Sequence, residues 1–163
     1  MSTVLFVCTA NICRSPMAKA LLKEIVIKKR IDQEWQIDSA GTWGQEGEFA
    51  ADGVQKILED RGINLKGHRS KIVNRELIQS ANLILTMESG HKEALQLEFP
   101  EYANRVYLLS EMVNQVFDIE DPFGGPLNRY EHTAQVIEQI LIRGFERIQE
   151  LAGRDLATQI PNN

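Results

Sequence analysis

The chain contains little cysteine, no long hydrophobic run and no excess of positive charge. Cys8 and Cys13 are its only cysteines in 163 residues, too few for a disulfide framework, and we expect both thiols to be reduced. No apolar stretch approaches the roughly 20 residues that span a membrane, and the run before Cys8 is too short for the core of a signal peptide. These absences predict a soluble, cytoplasmic protein that has no membrane partner.

Acidic residues outnumber basic ones, and the formal net charge is -5. Nucleic-acid surfaces need clustered lysine and arginine, so we expect no nucleic-acid partner. The two cysteines have no matching histidine cluster, and we therefore expect neither a metal site nor a cofactor. His91 and His132 fall on predicted helix surfaces and are expected to be solvated. We expect the protein to be a monomer or at most a weak dimer.

The length and an ordinary hydrophobic fraction of 43% indicate one globular domain, predicted over residues 1–156, followed by a frayed tail over 157–163. Short apolar segments bounded by turn residues predict four strands. Apolar residues at helical spacing predict the helices between and after them. The predicted strands are 3–8, 35–41, 82–87 and 105–109, and the predicted helices are 17–30, 50–61, 74–81, 89–99 and 128–151.

This alternation of strands and helices is typical of an α/β fold. We expect three layers, with a central four-stranded parallel sheet flanked by helices on both faces. In such sheets, ligands bind outside the carboxyl ends of the strands. Cys8 ends the first strand, and later strands lead into residues 39–43, 86–88 and the glycine-rich segment 120–125. The sequence therefore predicts a site formed by these loops.

The segment from Cys8 to Ser15 has the residues needed to hold an anion beside a thiolate. Backbone N–H groups that run into a helix start form an anion-binding concavity, and Arg14 can add two parallel hydrogen bonds to a phosphate. A helix N-terminus and a neighbouring cation also favour the thiolate form of a cysteine. The pattern predicts attack of the Cys8 sulfur on phosphorus and a phosphocysteine intermediate. The spacing alone leaves one alternative open, a buried Cys8 beside a solvated Arg14.

Two motifs, "VCTANICRSP" at 7–16 and "DPFGG" at 121–125, resemble those of the low-molecular-weight protein-tyrosine phosphatases, bacterial type. Segments similar to the family also lie at 38–42, 67–71 and 81–88, so the resemblance covers essentially the whole chain. It implies hydrolysis of phosphotyrosine in a phosphorylated protein substrate, without a cofactor. The implied catalytic residues are the nucleophile Cys8, the phosphate-gripping Arg14 and the general acid Asp121.

The resemblance also assigns supporting residues. The implied phosphate-binding loop contains Thr9, Ala10, Asn11, Ile12, Cys13 and Ser15, where the Ser15 hydroxyl stabilises the thiolate and Asn11 shapes the loop. Ser39 and His68 match side chains that support the loop. Trp43 and Phe123 are candidate walls of the substrate cleft, although ordinary partial burial is an equally simple interpretation of Trp43.

Three positions depart from the family pattern. Ala10 replaces a glycine, which is harmless only if its φ is negative. The segment "DPFGG" is closer to the related protein-arginine phosphatases, which carry threonine at the position of Ile12. Because an apolar Ile12 suits a phenyl ring better than a guanidinium, we favour phosphotyrosine over phosphoarginine.

Two further alternatives are an arsenate reductase, which needs cysteines that are lacking after Cys13, and a non-catalytic phosphoprotein-binding module.

Cys13 has two interpretations. It is either a small buried side chain or, as the resemblance implies, the partner of Cys8 in a reversible disulfide that protects the nucleophile from overoxidation.

Overall fold

The computed structural model describes residues 1–154. The predicted tail over 157–163 and the last two residues of the predicted domain lie outside this part of the chain, so the predicted domain boundary stays a prediction.

A sheet of four parallel strands lies at the centre of the described chain. The strands are β1 (Ser2–Cys8), β2 (Trp35–Gly41), β3 (Leu83–Thr86) and β4 (Val106–Leu108), in the order β2-β1-β3-β4. The prediction of a four-stranded parallel sheet is confirmed, and the predicted strand ends lie within one residue of the observed ones.

Helices connect and follow the strands. The α-helices are α1 (Arg14–Lys28), α2 (Asp52–Glu59), α3 (Arg75–Ser80), α4 (Ser89–Glu98), α5 (Leu127–Arg143) and α6 (Phe145–Ala152), and short 3-10 helices cover Asp32–Glu34, Pro100–Arg105 and Leu109–Val113. The start of α3 is capped as its sequence indicates, because Asn74 Oδ1 accepts a hydrogen bond from the Leu77 N–H at 2.9 Å. None of the helices within residues 1–154 has the length and apolar character needed to cross a membrane.

Apolar side chains pack on both faces of the sheet. Alternate residues of β1 point to opposite faces, so Val4 and Phe6 join one apolar cluster while Leu5 and Val7 join the other. The first cluster includes buried residues of α1, α2, α5 and α6, and the second includes buried residues of α3 and α4. The predicted arrangement of helices on both faces of the sheet is confirmed.

The prediction of one helix over 128–151 is wrong, because the helix breaks at Gly144 into α5 and α6. A Cβ atom at Gly144 would lie 2.8 Å from the carbonyl oxygen of Met112 and 2.9 Å from that of Ile140. The backbone here passes too close to its neighbour for any side chain. The apolar spacing continues across the break, and for that reason the sequence pattern did not reveal it.

The strand register brings three loops to one edge of the sheet. Cys8 pairs with Gly41 of β2, and Val7 pairs with Thr86 of β3. The carboxyl ends of these three strands are therefore level, and β1 lies between the other two. The loop after β1 consequently has one neighbour on the β2 side and another on the β3 side.

Candidate active site

The phosphate loop, residues 8–15, connects the end of β1 to the start of α1. Cys8 is 2% exposed, and its Sγ lies 2.9 Å from the Oγ of Ser15. Because α1 begins at Arg14, the thiol and this hydroxyl both lie at a helix N-terminus, where a negative charge is favoured. The structure thus brings the predicted nucleophile and the predicted thiolate-stabilising hydroxyl into contact.

Asn11 organises the loop from the β2 side. Its Nδ2 donates to Ser15 Oγ at 2.8 Å and to Ser39 Oγ at 2.9 Å, and its Oδ1 accepts from the Lys71 N–H at 3.0 Å. The φ of Asn11 is 58°, a left-handed conformation that asparagine tolerates better than most residues. Ser39 and His68, the predicted loop supports, both contact Asn11, and the Nε2 of His68 lies 2.7 Å from the Asn11 carbonyl oxygen.

The His68 contact fixes the tautomer of that ring, because a carbonyl oxygen can only accept and Nε2 must therefore carry the hydrogen. Burial lowers the pKa of His68, against the opposing effect of its hydrogen bond to Asn11. The ring is consequently neutral near pH 7 and donates to the loop.

Ala10 does not strain the loop. The residues of the described chain with positive φ, other than glycines, are Asn11, Arg30 and Asn114, so the left-handed position is filled by Asn11 and not by Ala10. A different glycine, at the end of β2, is needed for steric reasons. A Cβ atom on Gly41 would lie 2.5 Å from the carbonyl oxygen of Thr9.

Lys19 and Lys71 hold the β2 side of the loop through Asp38. The Nζ of Lys19 lies 3.0 Å from Asp38 Oδ1, and the Nζ of Lys71 bonds the other carboxylate oxygen. Burial alone would raise the pKa of Asp38, but the hydrogen bonds from these lysines outweigh it and leave the pKa below its usual value. The carboxylate is therefore charged, and it anchors the segment whose Lys71 N–H reaches Asn11.

Arg14 lies on the β3 side and is 2% exposed. Its Nη1 donates to Glu88 Oε1 at 2.5 Å and to the Ile119 carbonyl oxygen at 2.8 Å. Its Nη2 lies 3.7 Å from Asp121 Oδ2. The Nε finds no hydrogen-bond partner among residues 1–154. Nε and Nη2 share one edge of the guanidinium, so this edge is the one that can bind two oxygens of a phosphate.

The sequence placed residues 86–88 among the loops of the site but gave Glu88 no role, and it missed His91 as part of the site. The expectation that His91 is solvated is wrong, because it is 6% exposed, whereas His132 is exposed as expected. The Nε2 of His91 lies 2.9 Å from Thr9 Oγ1, which ties α4 to the phosphate loop. The sequence carried no standard signal for this pair, because the usual capping pattern is Ser or Thr followed three residues later by Glu or Gln, and here Glu88 is followed by His91.

Asp121 lies at the entrance to the site. Its side chain is 47% exposed, and its Oδ1 accepts a hydrogen bond from the Phe123 N–H at 3.1 Å. This turn leaves the other carboxylate oxygen directed toward Arg14. The predicted acid is thus brought to the mouth of the phosphate loop from a segment more than a hundred residues away.

The two predicted cleft walls are both exposed. Trp43 is 76% exposed and Phe123 is 64% exposed, so partial burial does not account for Trp43. The Trp43 N–H donates to the Thr9 carbonyl oxygen at 2.9 Å, and Phe123 follows the predicted acid. Phe123 also lines a cleft of about 510 Å³, together with Phe49 and Leu127. Their roles as walls stay predictions.

Ile12 connects this cleft to the phosphate loop. It is partly buried against the larger apolar cluster, and its carbonyl oxygen accepts from the Ala51 N–H at 2.9 Å. Ala51 is itself one of the cleft-lining residues. The backbone of Ile12 is therefore bonded to one of the residues that line the cleft.

Cys13 and Cys8 are both free thiols, and Cys13 is 3% exposed. Burial, with Asp121 and Cys8 nearby, raises the pKa of Cys13 to about 12. The group is therefore protonated at neutral pH. The two thiols differ in setting, since Cys8 contacts the Ser15 hydroxyl, whereas Cys13 lies beside Tyr130.

Comparison with known proteins shows which family the chain is similar to. The model of the family described as low molecular weight phosphotyrosine protein phosphatase matches residues 3–153. A protein-arginine-phosphatase of Geobacillus stearothermophilus is 37% identical over 147 residues, which are 90% of this chain and 95% of that protein. A low molecular weight protein-tyrosine-phosphatase of Staphylococcus aureus is 29% identical over 140 residues, 86% of this chain and 94% of that protein.

Solved structures are similar to the chain in the same way. The crystal structure of a low molecular weight protein tyrosine phosphatase from T. tengcongensis has a TM-score of 0.85 and 35% identity, and the match covers 90% of this chain and 99% of that chain. These matches extend over nearly the full length on both sides. The chain belongs to the low molecular weight phosphotyrosine protein phosphatase family, whose members are hydrolases.

Proposed function

We propose that this phosphatase hydrolyses phosphotyrosine in proteins through a phosphocysteine intermediate on Cys8. The observation that carries the proposal is the contact of the Cys8 thiol with the Ser15 hydroxyl at the N-terminus of α1. The first residue of that helix is the buried Arg14, whose Nε has no hydrogen-bond partner among residues 1–154. A phosphate dianion there would accept from the guanidinium edge while one of its faces meets the sulfur.

The proposed first step is in-line displacement at phosphorus. The Cys8 sulfur forms a bond to phosphorus as the bond from phosphorus to the phenolic oxygen breaks, and Asp121 gives its proton to that oxygen. In the second step, Asp121 takes a proton from water as the water oxygen attacks phosphorus. The sulfur–phosphorus bond then breaks, which releases inorganic phosphate and the Cys8 thiolate.

Arg14 stabilises the charge on the equatorial oxygens in both steps. Its Nη1 is already bonded to Glu88 and to the Ile119 carbonyl oxygen, so the guanidinium is held in place before substrate arrives. Such a preformed arrangement lowers the barrier because little reorganisation is needed in the transition state. This supports the assignment of Arg14 as the residue that grips phosphate.

The apolar side chain of Ile12 in the phosphate loop supports a phenyl ring as the group that binds beside the loop. Ile12 has no polar atom in its side chain to orient a guanidinium, and the exposed Phe123 can stack on a flat ring. The second candidate is a protein-arginine phosphatase, which is favoured by the 37% identity to the Geobacillus stearothermophilus protein of that name.

Side-by-side turnover of a phosphotyrosine peptide and a phosphoarginine peptide tests this proposal. We expect the native chain to prefer phosphotyrosine by at least about ten-fold, and Ile12→Thr to shift the ratio toward phosphoarginine. Ile12→Val, which keeps the apolar surface, is the matched control. A native preference for phosphoarginine would establish the second candidate. Equal turnover by Cys8→Ser and the native chain would overturn the mechanism altogether.

We also propose that the enzyme acts in the cytoplasm as a monomer or weak dimer, without a cofactor, a metal, a nucleic-acid partner or a membrane partner. The net charge of -5 and the two free thiols support this setting.

A reversible Cys8–Cys13 disulfide is a further part of the proposal. Peroxide would oxidise the Cys8 thiolate to a sulfenic acid, and Cys13 would then form the disulfide with loss of water. The raised pKa of Cys13 slows this second step, because the attacking thiol must first lose its proton. If Cys13→Ser recovers from peroxide and reductant as well as the native chain does, Cys13 has no protective role.

A further inference from the structure

His91 is buried beside the phosphate loop with both ring nitrogens in contact with polar groups. Its Nδ1 accepts a hydrogen bond from the Glu88 N–H at 3.1 Å, and its Nε2 lies 2.9 Å from Thr9 Oγ1. The mechanism proposed above makes no use of this histidine. Its position between the first turn of α4 and the phosphate loop nevertheless connects two groups that contact Arg14.

These contacts allow only one tautomer. Because a backbone N–H can only donate, Nδ1 must be the unprotonated nitrogen, and the hydrogen of the neutral ring is on Nε2. Nε2 therefore donates to the Thr9 hydroxyl. The same hydroxyl oxygen lies 3.5 Å from Arg14 Nη2, and Nη2 is on the guanidinium edge that faces the phosphate position.

Glu88 provides a second connection from the same helix turn. Its Oε1 accepts from Arg14 Nη1 at 2.5 Å, and its Oε2 lies 4.0 Å from His91 Nε2. While the His91 ring is neutral, the Glu88 carboxylate forms its ion pair with Arg14. A protonated His91 would compete for it, and the new N–H on Nδ1 would face the Glu88 N–H instead of accepting from it.

We propose that neutral His91 is a positioning residue which, through Thr9 and Glu88, holds the Arg14 guanidinium in its phosphate-binding orientation, and that protonation of His91 loosens this hold. The inference rests on the proposed function of Arg14 as the phosphate grip. It adds a group that makes phosphate affinity depend on pH without touching the substrate.

The charges around His91 come from several elements. Glu88 lies at the start of α4, Arg14 on α1, and Asp118 and Asp121 in the segment before α5. Burial lowers the pKa of His91, and Arg14 lowers it further, while the three carboxylates oppose the shift. The ring is therefore neutral at pH 7 and becomes protonated only in acid.

The test compares His91→Gln and His91→Ala with the native chain between pH 5 and pH 8, using p-nitrophenyl phosphate turnover and calorimetric binding of inorganic phosphate. Gln keeps a donor for Thr9 but does not titrate. We expect His91→Ala to raise KM and the phosphate Kd by roughly ten-fold with a smaller change in kcat. His91→Gln should stay within about three-fold of the native chain at pH 7 and should show a weaker rise of phosphate Kd in acid.

His132→Gln is the matched control, because His132 is exposed on α5, and it should behave as the native chain does. Long-range proton–nitrogen spectra of the imidazoles give a readout that needs no turnover: Nε2 of His91 should be protonated and Nδ1 bare at pH 7. An unchanged phosphate Kd in His91→Ala, an identical acid dependence in His91→Gln, or the opposite tautomer would overturn the inference. If the native chain itself neither hydrolyses phosphate esters nor binds phosphate, the proposed function fails instead.

Discussion

The two sides of the phosphate loop are held by different kinds of interaction. On the β2 side, Asn11, Ser15 and Ser39 are at most 1% exposed and bond one another as neutral groups. On the β3 side, the buried Arg14 is bonded to Glu88, whose side chain is 36% exposed. The groups that bond Asn11 on the β2 side are therefore neutral, and the ion pairs of Asp38 lie one residue further out. On the β3 side, an arginine of the loop is itself part of the charged pair.

This difference separates two requirements of the site. Neutral buried hydrogen bonds fix the backbone shape and the position of the Ser15 hydroxyl, and they are little affected by salt. A buried guanidinium needs a counter-charge, and a counter-charge that is partly exposed to solvent remains sensitive to salt and pH. We expect variants on the β2 side to affect folding and catalysis together, and variants on the β3 side to affect mainly phosphate binding.

The largest effect is expected on the charged side, for Arg14→Lys. An ammonium keeps the charge but cannot donate two parallel hydrogen bonds from one edge. We expect kcat/KM for p-nitrophenyl phosphate to fall by roughly 10² to 10³-fold. Arg147→Lys, at an exposed position of α6, is the control and should leave the rate unchanged. Near-native turnover by Arg14→Lys would show that charge alone is enough on this side.

The next effect is expected on the neutral side, for Asn11→Ala. The change removes the bonds to Ser15, Ser39 and the Lys71 N–H and places alanine at a φ of 58°. We expect the free energy of unfolding in urea to fall by about 3 kcal/mol, and kcat to fall with it. Asn11→Gly separates the two causes, because glycine removes the side chain without backbone strain and should recover about 1 kcal/mol. Unchanged stability in both variants would remove the distinction between the sides.

A smaller effect is expected for Glu88→Gln, which removes the counter-charge of Arg14. KM should rise by roughly ten-fold, and the free energy of unfolding should fall only modestly, because Glu88 is partly exposed and the Asp121 carboxylate stays 3.7 Å from Arg14 Nη2 as a counter-charge. The native KM should also rise more steeply with salt than that of the variant. Glu93→Gln, on an exposed position of the same helix, is the control. A large loss of stability with an unchanged KM would make Glu88 a structural residue only.

Local sequence was sufficient to predict the catalytic loop but not its supports. Cys8 and Arg14 could be placed because a strand, a short loop and a helix start lie within a few consecutive residues. The burial of His91 depends on Thr9, which is 82 residues away in the sequence, and no pattern around His91 contains that contact. The helix break at Gly144 likewise depends on the Met112 carbonyl, whereas the apolar spacing along the helix is unbroken.

The smallest effect concerns pH, and each side contributes one histidine. Burial lowers the pKa of both His68 and His91, so the unfolded chain binds more protons than the folded one between the lowered values and about 6.5. Stability should therefore rise with pH through this window and be lost as the pH falls through it. Urea midpoints at pH 5.5 and pH 7.5 measure the change, and His68→Gln should reduce it. A higher midpoint at pH 5.5 would contradict the assignment of neutral rings.

The position of β1 between β2 and β3 has a consequence for how the enzyme loses its activity on heating. Amides hydrogen-bonded on both sides in the middle of a sheet exchange with solvent only in the most extensive openings of a protein. The phosphate loop begins where this most protected strand ends, at Cys8, and its neutral contacts join it to β2. Fraying of the last turn of α6 would leave the residues of the site in place, so we expect inactivation on heating to coincide with global unfolding and not to precede it.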